Sequence, residues 1–396
     1  IFRKAGKEES ERFRMHWDGT LMRRHNRPFS TQNLGCAESW SEFVSLNSQD
    51  VSFCELPAMV KDSLLKNDIR SSDILEIKME DQSSKGWEQG ALFAGLYALS
   101  QISDDQVYYN ALMNICQANK WKLGPRIYHA DDHCVGQIYL DLYKRHKELE
   151  MMANVQMQFD YIMKHPVKQG LKVMEGKSRW TWCDALFMSP PVWCKLSSLT
   201  NNSDYIDYMD KEWWATSDYL YDKKEHLFYR DDRYFNLRES NGEKLFWSRG
   251  NGWVIAGLAR ILEDMPEDYP TRERYETLFR EMAARIADLQ PEGGLWHPSL
   301  LDIESYPYPE PSSSGFFCYA LTWGLNHHLL SQEKYLPVIK NVWKGLSECI
   351  QSDGRIGWVQ LPGSAPDEVQ AKNTTSYGVG AYLLAGSELY KFLVEK

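Results

Sequence analysis

Several signatures of common functional classes are missing from this chain of 396 residues. No apolar run reaches the roughly 18 residues that a membrane-spanning helix needs, so none is predicted. Acidic residues outnumber basic ones by 55 to 45, and the net charge of −10 argues against nucleic-acid binding, which needs a basic surface. Nucleophile elbows, phosphate-binding loops and dinucleotide fingerprints are also missing, so a serine hydrolase, a kinase or a dehydrogenase has no support.

The cysteines show no Cys-X-X-Cys pair, although the chain has eight of them. Most lie within apolar helical patterns, which favours buried free thiols over disulfides or a metal site. The first residue is Ile1 rather than Met, which is compatible with removal of a leader segment. The sequence leaves the periplasm and the cytoplasm, and a monomer and a homodimer, as alternatives.

Aromatic residues are abundant, with 15 Trp and 22 Tyr. Leu and Val alone can build a core, so this excess suggests stacking surfaces, and sugar rings are a common ligand for such surfaces. The composition is otherwise that of a globular protein.

Six similar segments recur every 45 to 66 residues or so. Each opens with a polar or glycine-containing turn and continues with apolar residues around the whole circumference, which predicts a helix buried on all sides. The segments are GWEQGALFAGLYAL from Gly86, DHCVGQIYLDLY from Asp132, CDALFMSPPVWCKL from Cys183, RGNGWVIAGLARIL from Arg249, SSGFFCYALTWGL from Ser313 and TSYGVGAYLLAGSEL from Thr375.

Amphipathic stretches alternate with these segments and predict outer helices with one wet face. They begin near Asp104, Ser203, Thr271 and Gln332, and a further one near Leu56 would precede the first inner helix. Six hairpins with fully apolar inner helices fit a closed double ring better than an open solenoid. The sequence therefore predicts an all-α (α/α)6 barrel as one domain over residues 51–396, preceded by a poorly patterned arm over residues 1–50.

In such a ring the inner helices run in the same direction, so their N-termini should meet at one mouth. Helix N-termini carry free N–H groups and a partial positive charge. The polar residues that open the segments should therefore converge there and form the functional site. This set is Asp131, Asp132, Asp184, Arg249 and Ser313.

Asp184 is the leading candidate for acid–base chemistry, because it enters an apolar, Trp-rich helix at its first turn. An apolar environment disfavours the ionised carboxylate, whereas a helix N-terminus favours it, and a group between these influences suits a general acid. A helix-capping role is the alternative. Trp182 precedes Asp184 by two residues, and Met188 can share its helical face.

Arg249 lies between Trp247 and Trp253 in the segment LFWSRGNGW. Arginine binds carboxylates through two parallel hydrogen bonds, and the Trp faces can stack on a sugar ring. The alternative is a structural arginine that pairs with a carboxylate in the core.

Asp131 and Asp132 lie in the segment YHADDHCVGQ. The histidines around them fit no strong zinc or calcium spacing, so no metal site is predicted. One of the two aspartates is expected to face Asp184 as a second carboxylate. In the Pro-rich segment SYPYPEPSSSGFF, Ser313 and Ser314 are expected to cap the fifth inner helix.

Four motifs in this order resemble the unsaturated glucuronyl and rhamnogalacturonyl hydrolases of glycoside hydrolase families 88 and 105: ADDHCVGQIYLDLY, WTWCDALFM, FWSRGNGW and PEPSSSGFFCYAL. The resemblance covers residues 85–393 and implies an (α/α)6 barrel that needs no cofactor. Its substrates would be oligosaccharides left by polysaccharide lyases, which end in a Δ4,5-unsaturated uronic acid. In that family an Asp protonates C4 of the vinyl ether, water adds at C5, and the hemiketal opens and releases the neighbouring sugar.

The position that matches the family's acid/base is Asp184, and either Asp131 or Asp132 matches its second Asp. The positions that match its sugar-contacting residues are Trp182, Met188, Trp247, Arg249 and Trp253. One position departs from many relatives, because Arg230 stands in LFYRDDRYF where they carry His. We expect this arginine to suit an additional anionic group, such as a sulfate.

Two further classes remain as alternatives. The first is another (α/α)6 enzyme. A sugar epimerase would use His bases, whereas an inverting glycosidase would need a second carboxylate at a water-sized separation from Asp184. A non-catalytic uronate-binding protein would use the same Trp and Arg residues, but would leave the cost of a carboxylate in an apolar helix unexplained.

Overall fold

The structure is a computed structural model that describes residues 84–394, and it is built almost entirely from helices. In chain order the helices are α1 (Trp87–Ile102), α2 (Val107–Ala118), α3 (Ala130–His133), α4 (Gly136–His146), α5 (Glu150–Lys164), α6 (Ala185–Met188), α7 (Pro190–Thr200), α8 (Ser203–Leu220), α9 (Ser248–Asp264), α10 (Arg272–Asp288), α11 (Pro311–Asn326), α12 (Gln332–Glu348) and α13 (Ser376–Val394). A short antiparallel hairpin of β1 (Tyr221–Asp222) and β2 (Leu227–Phe228) follows α8.

The inner helices close into a ring. Helix α1 packs against α4, α4 against α7, α7 against α9, α9 against α11, α11 against α13, and α13 against α1 again. The outer helices α2, α5, α8, α10 and α12 each pack on the inner helix that precedes them. This is the predicted (α/α)6 barrel. The predicted arm, the domain start at residue 51 and the outer helix near Leu56 lie outside the described residues.

Burial explains which helices lie inside. All residues of α11 from Pro311 to Leu325 are buried, as the fully apolar pattern predicts. Helix α10 instead buries a single stripe with the spacing of one helical face, made of Tyr275, Leu278, Phe279, Met282, Ala283 and Ile286. None of the described helices meets the length and hydropathy needed to cross a membrane. The six cysteines in the described part of the chain are buried free thiols, as predicted.

Helices α1 and α13 approach each other unusually closely through glycine. A Cβ atom on Gly95 would lie 2.4 Å from the carbonyl oxygen of Gly380, and one on Gly380 would lie 2.4 Å from the carbonyl oxygen of Ala91. The backbone cannot yield at such a contact, so these two glycines permit the close packing of α1 against α13.

Two inner helices are interrupted after their first turn, and both interruptions concern the site. Helix α3 ends at His133 before α4 begins, and α6 ends at Met188 before Pro190 starts α7. Proline has no N–H to donate and is well accommodated at the start of a helix. The short helices α3 and α6 carry the two acidic segments of the predicted site at the mouth of the barrel.

Candidate active site

The N-terminal ends of the inner helices meet at one mouth, as the repeat predicts. The amide of Gln89 in α1 donates to the Ser376 hydroxyl at the start of α13. The backbone N–H of Cys183, just before α6, donates to the carbonyl of Arg230 over 2.8 Å. These contacts join separate repeats at one end of the ring.

Asp184 directly precedes α6, but its carboxylate does not cap that helix. The side chain is buried and faces other groups instead. Its Oδ2 atom lies 3.3 Å from Nε of Arg230, and the Cys183 thiol donates to the same oxygen over 3.6 Å. The carboxylate is therefore available to the mouth, and the capping alternative does not describe it.

Arg230 is buried beside Asp184 and follows strand β2 by two residues. Its Nη1 atom donates to Oδ2 of Asp231 over 2.7 Å, while its Nε has no hydrogen-bond partner among the described residues. Burial opposes a charge on this guanidinium, but Asp184 and Asp231 outweigh it and raise the pKa of Arg230. Arg230 thus brings a permanent positive charge to Asp184.

The two adjacent aspartates have different surroundings. Asp132 accepts from the Arg126 guanidinium over 2.5 Å and from the Arg126 backbone N–H over 2.7 Å, so it holds the preceding loop. Asp131 has no such cation among residues 84–394, and burial, followed by repulsion from Asp184, raises its pKa to about 6. Asp131 is therefore the member of the pair that interacts with Asp184.

His129 forms one side of this cluster. Its Nδ1 accepts from the Asp131 backbone N–H over 3.3 Å and lies 3.6 Å from Oδ2 of Asp131. Burial, with help from Arg126 and Lys177, lowers the pKa of His129 to about 4. The imidazole is therefore neutral near neutral pH and does not neutralise Asp131.

The predicted sugar-contacting side chains surround the mouth, but they are buried. The rings of Trp182, Trp247 and Trp253 and the Met188 side chain are each exposed by no more than 1%. The Trp182 ring lies 5.1 Å from the His129 ring, and Trp253 packs 4.3 Å from Phe316. These side chains are packed within the barrel rather than forming an open stacking surface.

Arg249 is held by backbone carbonyls. Its Nη1 donates to the Gln360 carbonyl over 2.6 Å and its Nη2 to the Leu361 carbonyl over 2.9 Å. The guanidinium lies between the Trp247 and Tyr377 rings, and its Nε has no hydrogen-bond partner in the described part of the chain. This arrangement fixes the segment before α13 against the mouth.

Glu310 caps α11, so the prediction that Ser313 and Ser314 cap this helix was wrong. Its carboxylate accepts from the backbone N–H groups of Ser312 and Ser313 and, over 3.0 Å, from that of Gln360. A carboxylate neutralises a helix N-terminus better than a hydroxyl does, because it matches the positive end of the helix dipole. Glu310 therefore has a structural role.

Sequence reasoning missed three contributors to the site. Asp231 holds Arg230, Gln360 connects Trp247, Arg249 and Glu310, and the half-buried Trp87 stacks on Tyr377 with 5.1 Å between ring centroids. Trp87 follows the glycine that opens the first repeat, so its position was a usable signal. Gln360 lies in an irregular segment, where no periodicity could reveal it.

No three His, Cys, Asp or Glu side chains among residues 84–394 are placed to share a metal ion. The site instead offers the buried carboxylate of Asp184, which lies beside an arginine, and the partly buried carboxylate of Asp131. Such a constellation can donate a proton and hold a water molecule next to a bound sugar. These features define the class of protein: a carbohydrate-active enzyme built on an (α/α)6 barrel.

The chain belongs to glycosyl hydrolase family 88, whose family model matches residues 62–393. It is 42% identical over 318 residues to the unsaturated 3S-rhamnoglycuronyl hydrolase of Formosa agariphila, covering 77% of this chain and 84% of the relative. A solved family 88 glycosyl hydrolase from Bacteroides vulgatus matches with a TM-score of 0.75 and 29% identity, covering 84% of this chain and 99% of that one. Another solved structure, described as a polysaccharide lyase, matches with a TM-score of 0.77 and 30% identity, covering 85% of this chain and 98% of that one. The expected family and the class of glycoside hydrolase are thereby confirmed.

Proposed function

We propose that this enzyme removes a Δ4,5-unsaturated uronic acid from the non-reducing end of oligosaccharides released by polysaccharide lyases. The observation that carries the proposal is Asp184, a buried carboxylate that caps no helix and lies at the mouth beside Arg230. The activity named for the relative from Formosa agariphila supports the same substrate class.

The proposed reaction begins with transfer of a proton from Asp184 to C4 of the vinyl ether. Water then adds its oxygen to C5, and its released proton returns to Asp184. The product is a hemiketal at C5, whose ring bond to oxygen opens to give a ketone. The hemiacetal left at C1 then releases the neighbouring sugar. One water is consumed, and Asp184 serves first as acid and then as base.

Asp131 is the proposed second carboxylate. Asp132 is not proposed for this role, because its carboxylate is already paired with Arg126. Near pH 6 Asp131 exchanges its proton, so it can share a proton or a hydrogen bond with a bound sugar. Trp182, Met188, Trp247 and Trp253 would shape the pocket for the ring. Arg249 stays the proposed partner of the substrate carboxylate, and its Nε has no hydrogen-bond partner among the described residues.

We further propose that the sugar next to the unsaturated uronate is a rhamnose, because the relative from Formosa agariphila is named an unsaturated 3S-rhamnoglycuronyl hydrolase. The role of Arg230 in binding a sulfate stays a prediction. The carboxylates of Asp184 and Asp231 already balance its charge, which weakens its attraction for a second anion. Comparison of sulfated and unsulfated substrates on Arg230→Ala tests that role directly.

The test is ultraviolet absorbance of the conjugated double bond with a panel of unsaturated disaccharides, for wild type and Asp184→Asn in parallel. The proposal predicts loss of absorbance with wild type only, fastest on rhamnose-linked members. A rise in absorbance on an intact polysaccharide would instead indicate a lyase. New reducing ends on saturated substrates would indicate an ordinary glycosidase, and binding without any turnover would indicate a binding protein. Each of these three results contradicts the proposal.

A further inference from the structure

Asp231 is a buried carboxylate that the proposed reaction does not use. The residue is 0% exposed and lies directly after Arg230. It accepts from Nη1 of Arg230 over 2.7 Å and from Nε and Nη2 of Arg233 over 2.8 Å each. Burial opposes its charge, but the hydrogen bonds from Arg233 and Arg230 outweigh burial and lower the pKa of Asp231. It is therefore a fixed negative charge between two arginines.

Arg230 is held from two sides. Its carbonyl accepts from the backbone N–H of Cys183, which ties its main chain to the residue before Asp184. Its Nη1 is bound to Asp231, and this bond directs Nε towards Asp184, 3.3 Å from Oδ2. A long arginine side chain has many rotamers, so the direction of Nε depends on the anchor at Nη1.

We propose that Asp231 is a positioning residue, which holds the Arg230 guanidinium against Asp184 so that the arginine stabilises the carboxylate formed during proton transfer. This inference rests on the proposed function, in which Asp184 becomes negative as it protonates C4. A prearranged cation with a free N–H lowers the energy of that charge without reorganising during the reaction. The buried and otherwise unpartnered Nε of Arg230 is such a donor.

The test compares Asp231→Asn, Arg230→Gln and the double variant on an unsaturated disaccharide that wild type consumes. On an unsulfated disaccharide each single variant should lower kcat on the order of 100-fold with little change in KM, because binding of such a substrate does not use the pair. The double variant should be no slower than Arg230→Gln alone, because Asp231 acts through Arg230. A purely structural role would not produce this lack of additivity.

Asp232→Asn is the matched control in the same turn. Asp232 accepts from the backbone N–H of Val173 over 2.9 Å and has no ion pair with Arg230 among the described residues. It should keep kcat within about twofold of wild type. Circular dichroism and thermal melting should show that every variant is folded. If Asp231→Asn does not fold, Asp231→Glu, which keeps the charge but displaces the carboxylate, should show the same loss of kcat.

The inference is overturned if Asp231→Asn keeps the wild-type kcat, or if its effect multiplies with that of Arg230→Gln. It is also overturned if Asp232→Asn loses as much as Asp231→Asn. In all these outcomes wild type still consumes the double bond, so the proposed function survives. If wild type consumes no unsaturated substrate, the proposed function itself fails.

Discussion

Two groups of buried charges lie at opposite ends of the inner helices and differ in how completely they are paired. Away from the mouth, Lys195 in α7 contacts Asp141 in α4 and Asp264 in α9 over 2.7 Å each. Arg260 adds a second cation 3.7 Å from Asp141, and Lys144 adds a third 3.6 Å from Asp264, so both carboxylates are paired. Burial opposes the charge on Lys195, but Asp141 and Asp264 outweigh it and raise its pKa.

At the mouth the pairing is incomplete. Among the described residues no Lys or Arg lies within ion-pair distance of Asp131, its neighbour His129 is neutral, and the pKa of Asp131 is raised. The Nε atoms of Arg230 and Arg249 lack hydrogen-bond partners within residues 84–394. The paired cluster shows that this barrel can satisfy buried charge, although Nε of Arg285 in the outer helix α10 also lacks a partner within residues 84–394. Unsatisfied groups at the mouth are therefore candidates for contact with substrate.

Asp184→Asn should have the largest effect on catalysis. The amide cannot supply the proton, so we expect kcat to fall by at least about 10³-fold, as for the loss of a general acid. The melting temperature should change little, because the side chain caps no helix and Asp231 still pairs with Arg230. Steady-state absorbance assays and thermal melting measure the two effects. Retention of a tenth or more of wild-type kcat would show that Asp184 is not the proton donor.

Lys195→Met should have the opposite effects: it should lower stability and leave kcat unchanged. Removal of the cation leaves Asp141 and Asp264 buried without their main partner, which should cost about 3–5 kcal/mol in the free energy of unfolding. Urea titration measures this loss. The kcat per folded molecule should match wild type, because the cluster lies away from the mouth. A large loss of kcat in the folded fraction would contradict the separation of the two ends.

Asp131→Asn should raise the stability of the folded protein while lowering its catalytic activity. The folded pKa of about 6 exceeds the ordinary 3.8, so wild type loses stability as pH rises from about 4 to about 6. The shift corresponds to at most about 3 kcal/mol, for a side chain that is 19% exposed. Above pH 6 the variant should therefore melt at a higher temperature than wild type, and the difference should vanish below pH 4. An equal melting difference at both pH values would refute this assignment.

Glu310→Gln should have the smallest effect on stability and on kcat. It tests whether a fully paired carboxylate at the mouth behaves like the paired cluster around Lys195. Glu310 lies at the mouth, but it is fully hydrogen-bonded, so it should behave like the paired cluster. Loss of the charge at the start of α11 should cost about 1 kcal/mol of stability and leave kcat within about threefold of wild type. Chemical denaturation and steady-state kinetics provide the check, and a large kcat loss at full stability would place Glu310 among the catalytic groups.

Much of the fold was predictable, because the local sequence pattern indicates both the helical period and the burial of whole segments. All six inner segments, and the outer helices near Ser203, Thr271 and Gln332, begin within a few residues of the prediction. The interruptions after His133 and Met188 were not predicted, since apolar patterning continues across them. Pro190 and Pro191 were the local signal for the second interruption.

The residues of the candidate site were predictable from the sequence, but their hydrogen-bond and ion-pair partners were not. Convergence of Asp131 and Asp184 followed from the common direction of the inner helices. The choice of Asp131 over Asp132 did not, because it depends on Arg126, whose reach comes from a loop without periodicity. Likewise, the hydrogen bonds of Arg249 to the carbonyls of Gln360 and Leu361 join residues more than a hundred positions apart.

The most direct test of the central claim follows the vinyl proton at C4 by proton NMR while new reducing ends are counted in the same sample. The account predicts that the vinyl signal disappears in step with release of the neighbouring sugar, one for one, and that Asp184→Asn does neither. Release of the sugar with the vinyl signal intact would show ordinary glycosidic cleavage and would contradict hydration of the double bond by Asp184.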